Sequence, residues 1–596
     1  MHFDAHKRPA LFGLALILVA ALAALAPELA HGPSCGHDFD FHLVSWFDAL
    51  NAWRHGILYP HWAASANYGA GEPRFVFYSP LTWMLGAALG AVLPWTLVPL
   101  ALTYILLAGT GLAVRALARQ ALTEGAATLA GCCAIFSGYA LFTAYERTAF
   151  AELAGGLWIP LVLFGALSCE RTAGPFWTRM LRPATLGLAL AVAGAWLSNP
   201  TVGVMACYTL AFVALVRTLS LRSWIPALRA AVGVVLGIGL IAAYLVPAAL
   251  EQRWVDIHQV TEDPGQTLEN NWLFARHADP ALALHDAVLH TVSLIAVAMV
   301  ALALLALLVC RLRRRLPGER AWWLPLALLV PLVLLLHFSI SAPLWRLPEL
   351  RFLQFPWRWL LVLESPLAIF FAAALWSPRR RVRIAVVAAS LAIFAGMLLC
   401  TTHVFEQACD LEDSVPGMLA VARSGQGFIG TNEYEPLGAD LATVSTGLPA
   451  ACLVVDPRAT LGKAVSTDPD VNPAWQKEAC LATFSSVSRN PEHRRIVGTA
   501  PRAGFAVLRL LSFPAWRLRL NGQPVASVAA REDGLIVIPV SAGPITLTAD
   551  WATTGDVLLA RILSGFFALL FAALALLVRR MEGLRTSTAS IGSRLG

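Results

Sequence analysis

The chain has 596 residues, of which 58% are hydrophobic and only 14% are charged, and its mean hydropathy is +0.65. Soluble proteins carry about 25% charged residues, so this composition excludes an ordinary soluble protein and predicts one embedded in lipid. The formal net charge of +7 does not indicate a nucleic-acid partner, because the basic residues concentrate in alternate loops between apolar runs, as the positive-inside rule requires.

Apolar runs of membrane-spanning length recur along almost the whole chain. The run at residues 10–26 follows Lys7 and Arg8 and lacks a cleavage site, which predicts an uncleaved first span. Residues 79–93 are predicted to form a re-entrant or interfacial helix, with residues 96–114 as the second span. Further spans are predicted near residues 183–198, 200–217, 228–249, 286–310, 321–338, 358–376, 384–402 and 556–578. The pattern gives about twelve crossings of an inner (cytoplasmic) membrane, with both termini cytoplasmic.

This map divides the chain into three parts. Residues 1–402 form a membrane module whose first extracytoplasmic loop is 30–78, residues 403–555 form an extracytoplasmic domain, and residues 556–596 form the last span and a cytoplasmic tail. The predicted fold class is therefore a polytopic α-helical membrane protein with a C-terminal β-rich domain.

The β-rich character follows from alternating apolar and polar residues in the extracytoplasmic domain. Asn521-Gly522 is a strong signal for a hairpin turn. Cys409, Cys452 and Cys480 predict one disulfide in an oxidising compartment, although the spacing does not choose the pair. The predicted strands are 505–511, 516–520, 535–540 and 545–549.

Two aspartates, Asp38 and Asp40, directly follow the first span. The next residues, 41–53, place apolar side chains on one helical face, which predicts an amphipathic helix lying on the membrane. Asp40 fits the N-cap of that helix, because aspartate is favoured at the positive end of the helix dipole. Asp38 has His37 and His42 as neighbours and is the candidate general base or metal ligand.

Ionisable residues also occur where other predicted spans end. Glu146 and Arg147 fit an interfacial ion pair, whereas Glu152 begins an apolar run, where an unpaired acid is costly, so we predict a functional role for Glu152. Arg351 and Arg358 lie among aromatic residues at the extracytoplasmic end of a span. Two interpretations stay open, namely an aromatic belt with snorkelling arginines and a site for the phosphate head of a lipid.

The loop at residues 251–285 contains six acidic residues and three histidines. This composition fits a metal site or an acceptor groove, and solvated loop acidity is the plainer interpretation. The chain has no P-loop, GxSxG, HExxH or GxGxxG motif in a suitable context, so it lacks a local signature of nucleotide hydrolysis or serine hydrolase chemistry.

Several motifs together resemble one bacterial family. The motifs in the first loop are Gly36-His37-Asp38, Tyr59-Pro60, Tyr68-Gly69 and Phe77-Tyr78. The motifs in the membrane module are Arg147 and Glu152 with Pro160, and Phe355-Pro356-Trp357-Arg358. The motifs in the extracytoplasmic domain are Thr431-Asn432-Glu433-Tyr434-Glu435-Pro436, and Phe513-Pro514-Ala515-Trp516 with Asn521-Gly522. On these residues the chain resembles the YfhO-like membrane proteins, including members labelled 6-pyruvoyl-tetrahydropterin synthase-related, which are similar to GT-C glycosyltransferases. It departs from that pattern at Asn521, where Asp-Gly is common, and at Asn199-Pro200, where a histidine is common.

The resemblance implies a membrane glycosyltransferase that moves a sugar from a polyprenyl-phosphate donor to a glycan, lipid or protein acceptor on the extracytoplasmic side. Asp38 would be the base or a ligand of a divalent cation such as Mg²⁺ or Mn²⁺, with Asp40 as a second ligand and Glu152 in support. The expected donor-phosphate residues are Arg147, Arg351 and Arg358, and the further site candidates are His37, His42, Glu146, Glu433 and Tyr434.

Two other functions fit the same composition. A transporter or flippase for lipid-linked glycans would use intramembrane charges as a translocation path, although two inverted halves are not visible in the sequence. A non-catalytic assembly factor would use the β-rich domain to bind envelope polymers, but twelve spans are extravagant for an anchor.

Overall fold

The structure, a computed structural model, describes residues 7–168, 175–444, 446–458, 480–488 and 490–592. A bundle of helices carries a C-terminal antiparallel sheet, and the last long helix rejoins the bundle. The helices of ten or more residues are Lys7–Ala24, Phe39–Arg54, Pro80–Val92, Val98–Ala118, Glu124–Ile135, Gly155–Leu167, Pro183–Ser198, Pro200–Leu221, Ile225–Leu240, Ala242–Glu251, Ala283–Leu312, Arg320–Leu336, Leu360–Leu375, Arg380–Cys400, Val415–Ser424 and Gly555–Gly592.

Within the described ranges, eight helices are long and apolar enough to cross a membrane, and a bent pair makes a ninth. The prediction of many apolar spans is thereby confirmed. Three further predicted spans form shorter apolar helices that end at Ala24, Ser198 and Leu336, so the count of twelve stays a prediction. The eight are Trp95–Ala118, Glu124–Tyr145, Phe150–Leu167, Pro200–Leu221, Pro280–Leu312, Pro356–Leu375, Arg380–Phe405 and Gly555–Met581.

The span predicted at 228–249 is not one continuous helix. It bends by 77° between Ile225–Leu240 and Ala242–Trp254. The bend frees backbone groups, and Ser564 of the last helix satisfies two of them, because its hydroxyl donates to the Leu240 carbonyl at 3.0 Å and accepts from the Ala243 N–H at 2.7 Å. A contact between helices far apart in sequence therefore stabilises the bend.

The helix predicted at 41–53 forms as Phe39–Arg54, but its predicted position on the membrane surface is wrong. Its apolar residues Trp46 and Leu43 are fully buried, and Trp46 packs so closely on Gly86 of the helix Pro80–Val92 that a Cβ there would lie 2.3 Å from the indole. The side chains of His42 and Asp48 are buried as well. The helix is therefore enclosed by protein.

The C-terminal domain contains one eight-stranded sheet with the order β6-β5-β8-β3-β2-β1-β4-β7. All four predicted strands are present. Burial alternates along the strand at residues 543–551, whereas the first four residues of the strand at 535–540 are all buried, so alternation accounts for only some of the strands. Asn521 and Gly522 both have positive φ and form the predicted hairpin turn between β5 and β6. The strands are β1 Ala451–Val454, β2 Ala482–Ser486, β3 His493–Ala500, β4 Gly504–Leu511, β5 Trp516–Leu520, β6 Gln523–Val525, β7 Leu535–Val540 and β8 Gly543–Trp551.

The described residues contain two disulfides, one within the C-terminal domain and one between this domain and the first loop. Cys452–Cys480 joins β1 to the residues before β2 and is one of the pairs that the sequence left open. Cys35–Cys409 ties the first loop to the start of the C-terminal domain and was not predicted, because the partners lie 374 residues apart. The first loop also packs against the sheet, where Trp62 contacts Trp516 edge-on at 5.2 Å. The first loop and the domain thus form one packed unit.

Candidate functional site

Two segments distant in sequence dock through backbone hydrogen bonds at the end of the bundle that carries the C-terminal domain. The Asp38 N–H donates to the Arg147 carbonyl at 2.9 Å, and the Gly36 N–H donates to the Thr148 hydroxyl at 3.0 Å. A Cβ on Gly36 would lie 2.4 Å from the Glu146 carbonyl oxygen, so only glycine permits this approach. The docking fixes Asp38 beside Arg147.

Four charged residues form a continuous cluster at this joint. Arg147 Nη2 lies 3.1 Å from Asp38 Oδ2, and Arg147 Nη1 donates to Glu152. Arg358 Nε lies 3.2 Å from the same Glu152 oxygen, while the Tyr139 hydroxyl donates to the other oxygen. Charges buried at this depth are tolerated only when they are paired in this way. The charged cluster therefore consists of Asp38, Arg147, Glu152 and Arg358.

Exposure differs sharply along the charged cluster. The Asp38 side chain is 28% exposed, whereas that of Glu152 is 1% exposed. Burial opposes ionisation of Asp38, but the Arg147 guanidinium and the His37 hydrogen bond at 2.8 Å outweigh it and hold the pKa of Asp38 well below its usual range. Asp38 is therefore the carboxylate of the charged cluster that meets solvent, and it is ionised at neutral pH.

The structure corrects the assignment of Asp40 as the helix cap. The helix begins at Phe39, so Asp38 occupies the N-cap position, although its side chain makes no capping hydrogen bond. Asp40 lies in the first turn, where its carboxylate accepts from the adjacent Phe41 N–H at 2.6 Å. The backbone docking at Gly36 sets the start of the helix, and such a contact is invisible in a capping pattern.

Asp38 and Asp40 are the two residues predicted to bind a divalent cation. Mg²⁺ and Mn²⁺ require several oxygen ligands around one position. One Asp38 oxygen faces Arg147 and the other faces His37, while Asp40 is directed to its own helix turn. In the described part of the chain, no third ligand groups closely with these two carboxylates. A guanidinium stands where a cation would be needed, so the residues present do not fit a metal here.

The other predicted residues lie at different distances from the charged cluster. Glu146 accepts from the Gln407 side chain at 2.6 Å, so it secures the C-terminal domain and is not paired with Arg147 as predicted. His42 is buried beside Tyr78. Arg351 is exposed over the ring of Phe352, and no ion pair joins it to another described residue, so the structure separates it from Arg358.

Glu433 and Tyr434 belong to a second polar group, between the first loop and the C-terminal domain. Tyr434 stacks on Phe77 at 5.6 Å, and burial raises the pKa of Glu433 to about 7. Glu72 and Arg74 form the centre of this group as a fully buried ion pair of 2.6 Å. This ion pair was not predicted from the sequence, although two opposite charges two residues apart in an aromatic segment were a usable signal for it.

Sequence reasoning also missed three partners of the charged cluster. Tyr139 lies in the apolar helical stretch Glu124–Tyr145, where a tyrosine resembles a packing residue, and its hydroxyl donates to Glu152. Gln354 accepts from Arg358 at 3.1 Å. Trp357 lies under the Arg147 guanidinium at 5.0 Å. The contacts of Tyr139 and Trp357 depend on the meeting of separate helices, so spacing alone could not reveal them, whereas Gln354 and Arg358 are only four residues apart and their spacing was a usable signal.

Two cavities in the described part of the structure do not include the charged cluster. One, of about 650 Å³, is lined by residues from the first loop and the segment 402–416, including Gln407, which contacts Glu146. The other, of about 380 Å³, lies at the bend between Leu240 and Ala243 and includes Arg561. Neither of these two cavities is lined by Asp38 or Glu152. The Asp38 side chain is 28% exposed, so it reaches solvent outside both of them.

His42 provides a pH-dependent test of this packing. Burial lowers the pKa of His42 to about 4, so between pH 6.5 and 4 the unfolded chain binds a proton that the folded chain does not. Stability conferred by neutral His42 is therefore lost as the pH falls through this window, by on the order of 3 kcal/mol. We expect the stability difference between the wild type and His42→Gln to shrink by this amount, as measured by chemical denaturation in detergent. A constant difference for His42→Gln across this pH window would contradict the burial of His42.

Comparisons of the chain with family models, with curated proteins and with solved structures give no match. The class that the structure itself defines is a helical protein with several potential membrane spans, a C-terminal β domain and a charged cluster where the two meet.

Proposed function

We propose that this protein is a membrane glycosyltransferase that moves a sugar from a polyprenyl-phosphate donor to an envelope glycan, lipid or protein on the extracytoplasmic side. The observation that carries the proposal is the charged cluster, in which one partly exposed, ionised carboxylate, Asp38, lies 3.1 Å from a buried guanidinium, Arg147. The ionised carboxylate can accept the proton that leaves the acceptor, although the guanidinium that lowers the pKa of Asp38 also makes it a weaker base. The guanidinium in turn can stabilise the negative charge that develops on the phosphate.

The reaction proposed is a single displacement. Asp38 accepts the proton of the acceptor hydroxyl as the hydroxyl oxygen forms a bond to the anomeric carbon. The bond from that carbon to the phosphate oxygen breaks, and its electron pair leaves with the lipid phosphate. Since one base acts and no covalent carboxylate intermediate is formed, the configuration at the anomeric carbon inverts. No step uses a metal ion, because the contacts of Asp38 favour a guanidinium partner.

Arg147 would link the two halves of this reaction. Its guanidinium is held between Asp38 and Glu152, and five N–H donors allow it to contact a third anion. When Asp38 takes up a proton, its attraction for Arg147 weakens, and the positive charge becomes available to the departing phosphate. Glu152 acts as a positioning residue, because it holds Arg147 and Arg358 on one carboxylate. Exposed Arg351 is proposed to contact the donor headgroup from outside the charged cluster.

Transport of a lipid-linked glycan is the second candidate function, and one observation favours it. Glu364 is buried in the helix Leu360–Leu375, where its carboxylate accepts from the Ser137 hydroxyl at 2.8 Å. Ionisable groups inside a bundle commonly mark a translocation path. The charged cluster favours sugar transfer over transport, because it lies at the end of the bundle and the carboxylate of Asp38 is exposed to solvent.

A deletion strain distinguishes these functions. We expect loss of the gene to leave a lipid-linked sugar on the outer leaflet, where a membrane-impermeant oxidant such as periodate modifies it in intact spheroplasts. Accumulation protected from periodate would instead support transport, and an unchanged pool of lipid-linked sugars would support an assembly factor. Mass spectrometry of extracted lipids and of envelope glycans provides the readout. Either of the last two outcomes would overturn the proposed transferase.

A further inference from the structure

We propose that His277, His285 and Asp286 form a binding site for a zinc ion. They lie where the loop after the bent helix meets the helix Ala283–Leu312. One ligand atom from each of the three lies within 4.8 Å of the others, and the two imidazole centroids are 5.9 Å apart. This proposal is independent of the glycosyltransferase proposal, because it uses none of the residues of the charged cluster.

The ligand set selects the class of metal. Two imidazole nitrogens and one carboxylate oxygen suit Zn²⁺, which commonly takes three protein ligands and leaves a fourth position for water. Mg²⁺ and Ca²⁺ prefer oxygen ligands throughout, so the two histidines disfavour them. All three residues are half-buried, which leaves a route for the ion while limiting competition from water.

The arrangement needs only a small adjustment to hold the ion. His277 Nδ1 lies 2.6 Å from Asp286 Oδ1, whereas two ligands of a tetrahedral zinc are roughly 3.3 Å apart. The ion would take the place of the hydrogen between these two atoms, and a neutral His277 would then carry its N–H hydrogen on Nε2. The other Asp286 oxygen accepts from the His277 backbone N–H at 2.8 Å and keeps the carboxylate in place during this exchange.

The zinc site would hold in place a loop that is linked to Arg358 of the charged cluster through Gln354. Gln354 donates to the Val260 carbonyl and to the Gln266 side chain of this loop, and it accepts from Arg358 at 3.1 Å. The C-terminal end of the same loop carries His277. Zinc would thus fix the loop at one end while Gln354 fixes it near the other.

The test measures zinc binding and does not require transfer activity. The full chain, purified with an affinity tag that contains no histidine, is stripped with EDTA, equilibrated with ZnCl₂, desalted and analysed by plasma mass spectrometry, with titration calorimetry for affinity. We expect one zinc per chain above the level of a His277→Ala/His285→Ala double variant. His285→Gln and Asp286→Asn should each weaken zinc binding at least about tenfold.

His290→Ala is the matched control, because His290 lies on the same helix but outside the group of three ligands. It should bind zinc like the wild type, and MgCl₂ should give no heat of binding at the site. Circular dichroism verifies that each variant is folded. No difference in zinc content between the wild type and the folded Asp286→Asn or His285→Gln variants would overturn the proposal. Loss of that zinc in His290→Ala would overturn it as well.

Discussion

Arg147→Met is expected to lower the free energy of unfolding by about 3–5 kcal/mol, the usual cost of removing one partner from a buried ion pair. Methionine retains much of the bulk but leaves Asp38 and Glu152 without the guanidinium between them. Chemical denaturation in detergent micelles, followed by tryptophan fluorescence, measures the change.

Two further variants show whether the cost is electrostatic. Arg351→Met removes an exposed arginine without a described ion pair and should change stability by less than about 0.5 kcal/mol. Adding Asp38→Asn to Arg147→Met should recover part of the lost stability, because Asp38 then no longer carries a charge without its guanidinium, while Glu152 keeps its ion pair with Arg358. A loss below about 1 kcal/mol for Arg147→Met would contradict the described charged cluster.

Asp38→Asn is expected to reduce sugar transfer by about 10²–10⁴-fold, the range typical of the loss of a general base. Asparagine has nearly the same shape but is a far weaker proton acceptor, and Arg147 keeps its contact with Glu152. The protein should therefore remain folded and inserted, as judged by gel filtration and membrane fractionation.

Asp410→Asn is the matched control for Asp38→Asn, because Asp410 is an exposed aspartate shortly after Cys409 and outside the charged cluster. It should retain the wild-type rate. Asp40→Asn separates the two aspartates of the first loop and should cost far less activity than Asp38→Asn, since Asp40 contacts only its own helix turn in the described hydrogen bonds. Equal losses at both positions would contradict the assignment of the base.

The sequence was most informative where structure depends on neighbours along the chain. The strands 516–520 and 535–540 were predicted with the bounds that β5 and β7 show, and Asn521-Gly522 forms the predicted turn. The pattern of apolar residues in a strand and the residue types of a turn are local signals, so both can be recognised without knowledge of the fold.

The bend between Leu240 and Ala242 shows where local reasoning failed. An apolar run of constant character looks like one straight span, and neither segment reveals that Ser564 binds the freed backbone groups. The same limit applies to Cys35–Cys409, whose partners come together only when the first loop packs on the C-terminal domain.

The candidate site was predictable in its members but not in its arrangement. Asp38 was selected for its histidine neighbours, and Glu152 was selected because it begins an apolar run. Arg147 and Arg358 were expected donor-phosphate residues. The structure shows that these four residues are partners of one another. Arg351 shared the sequence context of Arg358 and could not be separated from it, because burial depends on tertiary packing.

The most direct test of the central claim is sugar transfer by the purified chain in lipid vesicles. The donor is the radiolabelled lipid-linked sugar fraction extracted from the deletion strain, and the acceptor is the envelope fraction of the same strain. We predict that label leaves the lipid phosphate and enters the acceptor with the wild type, and that Asp38→Asn slows this transfer by about 10²–10⁴-fold. Label that stays on the lipid with folded wild type, or transfer at full rate by Asp38→Asn, would contradict the assignment of the charged cluster as the active site.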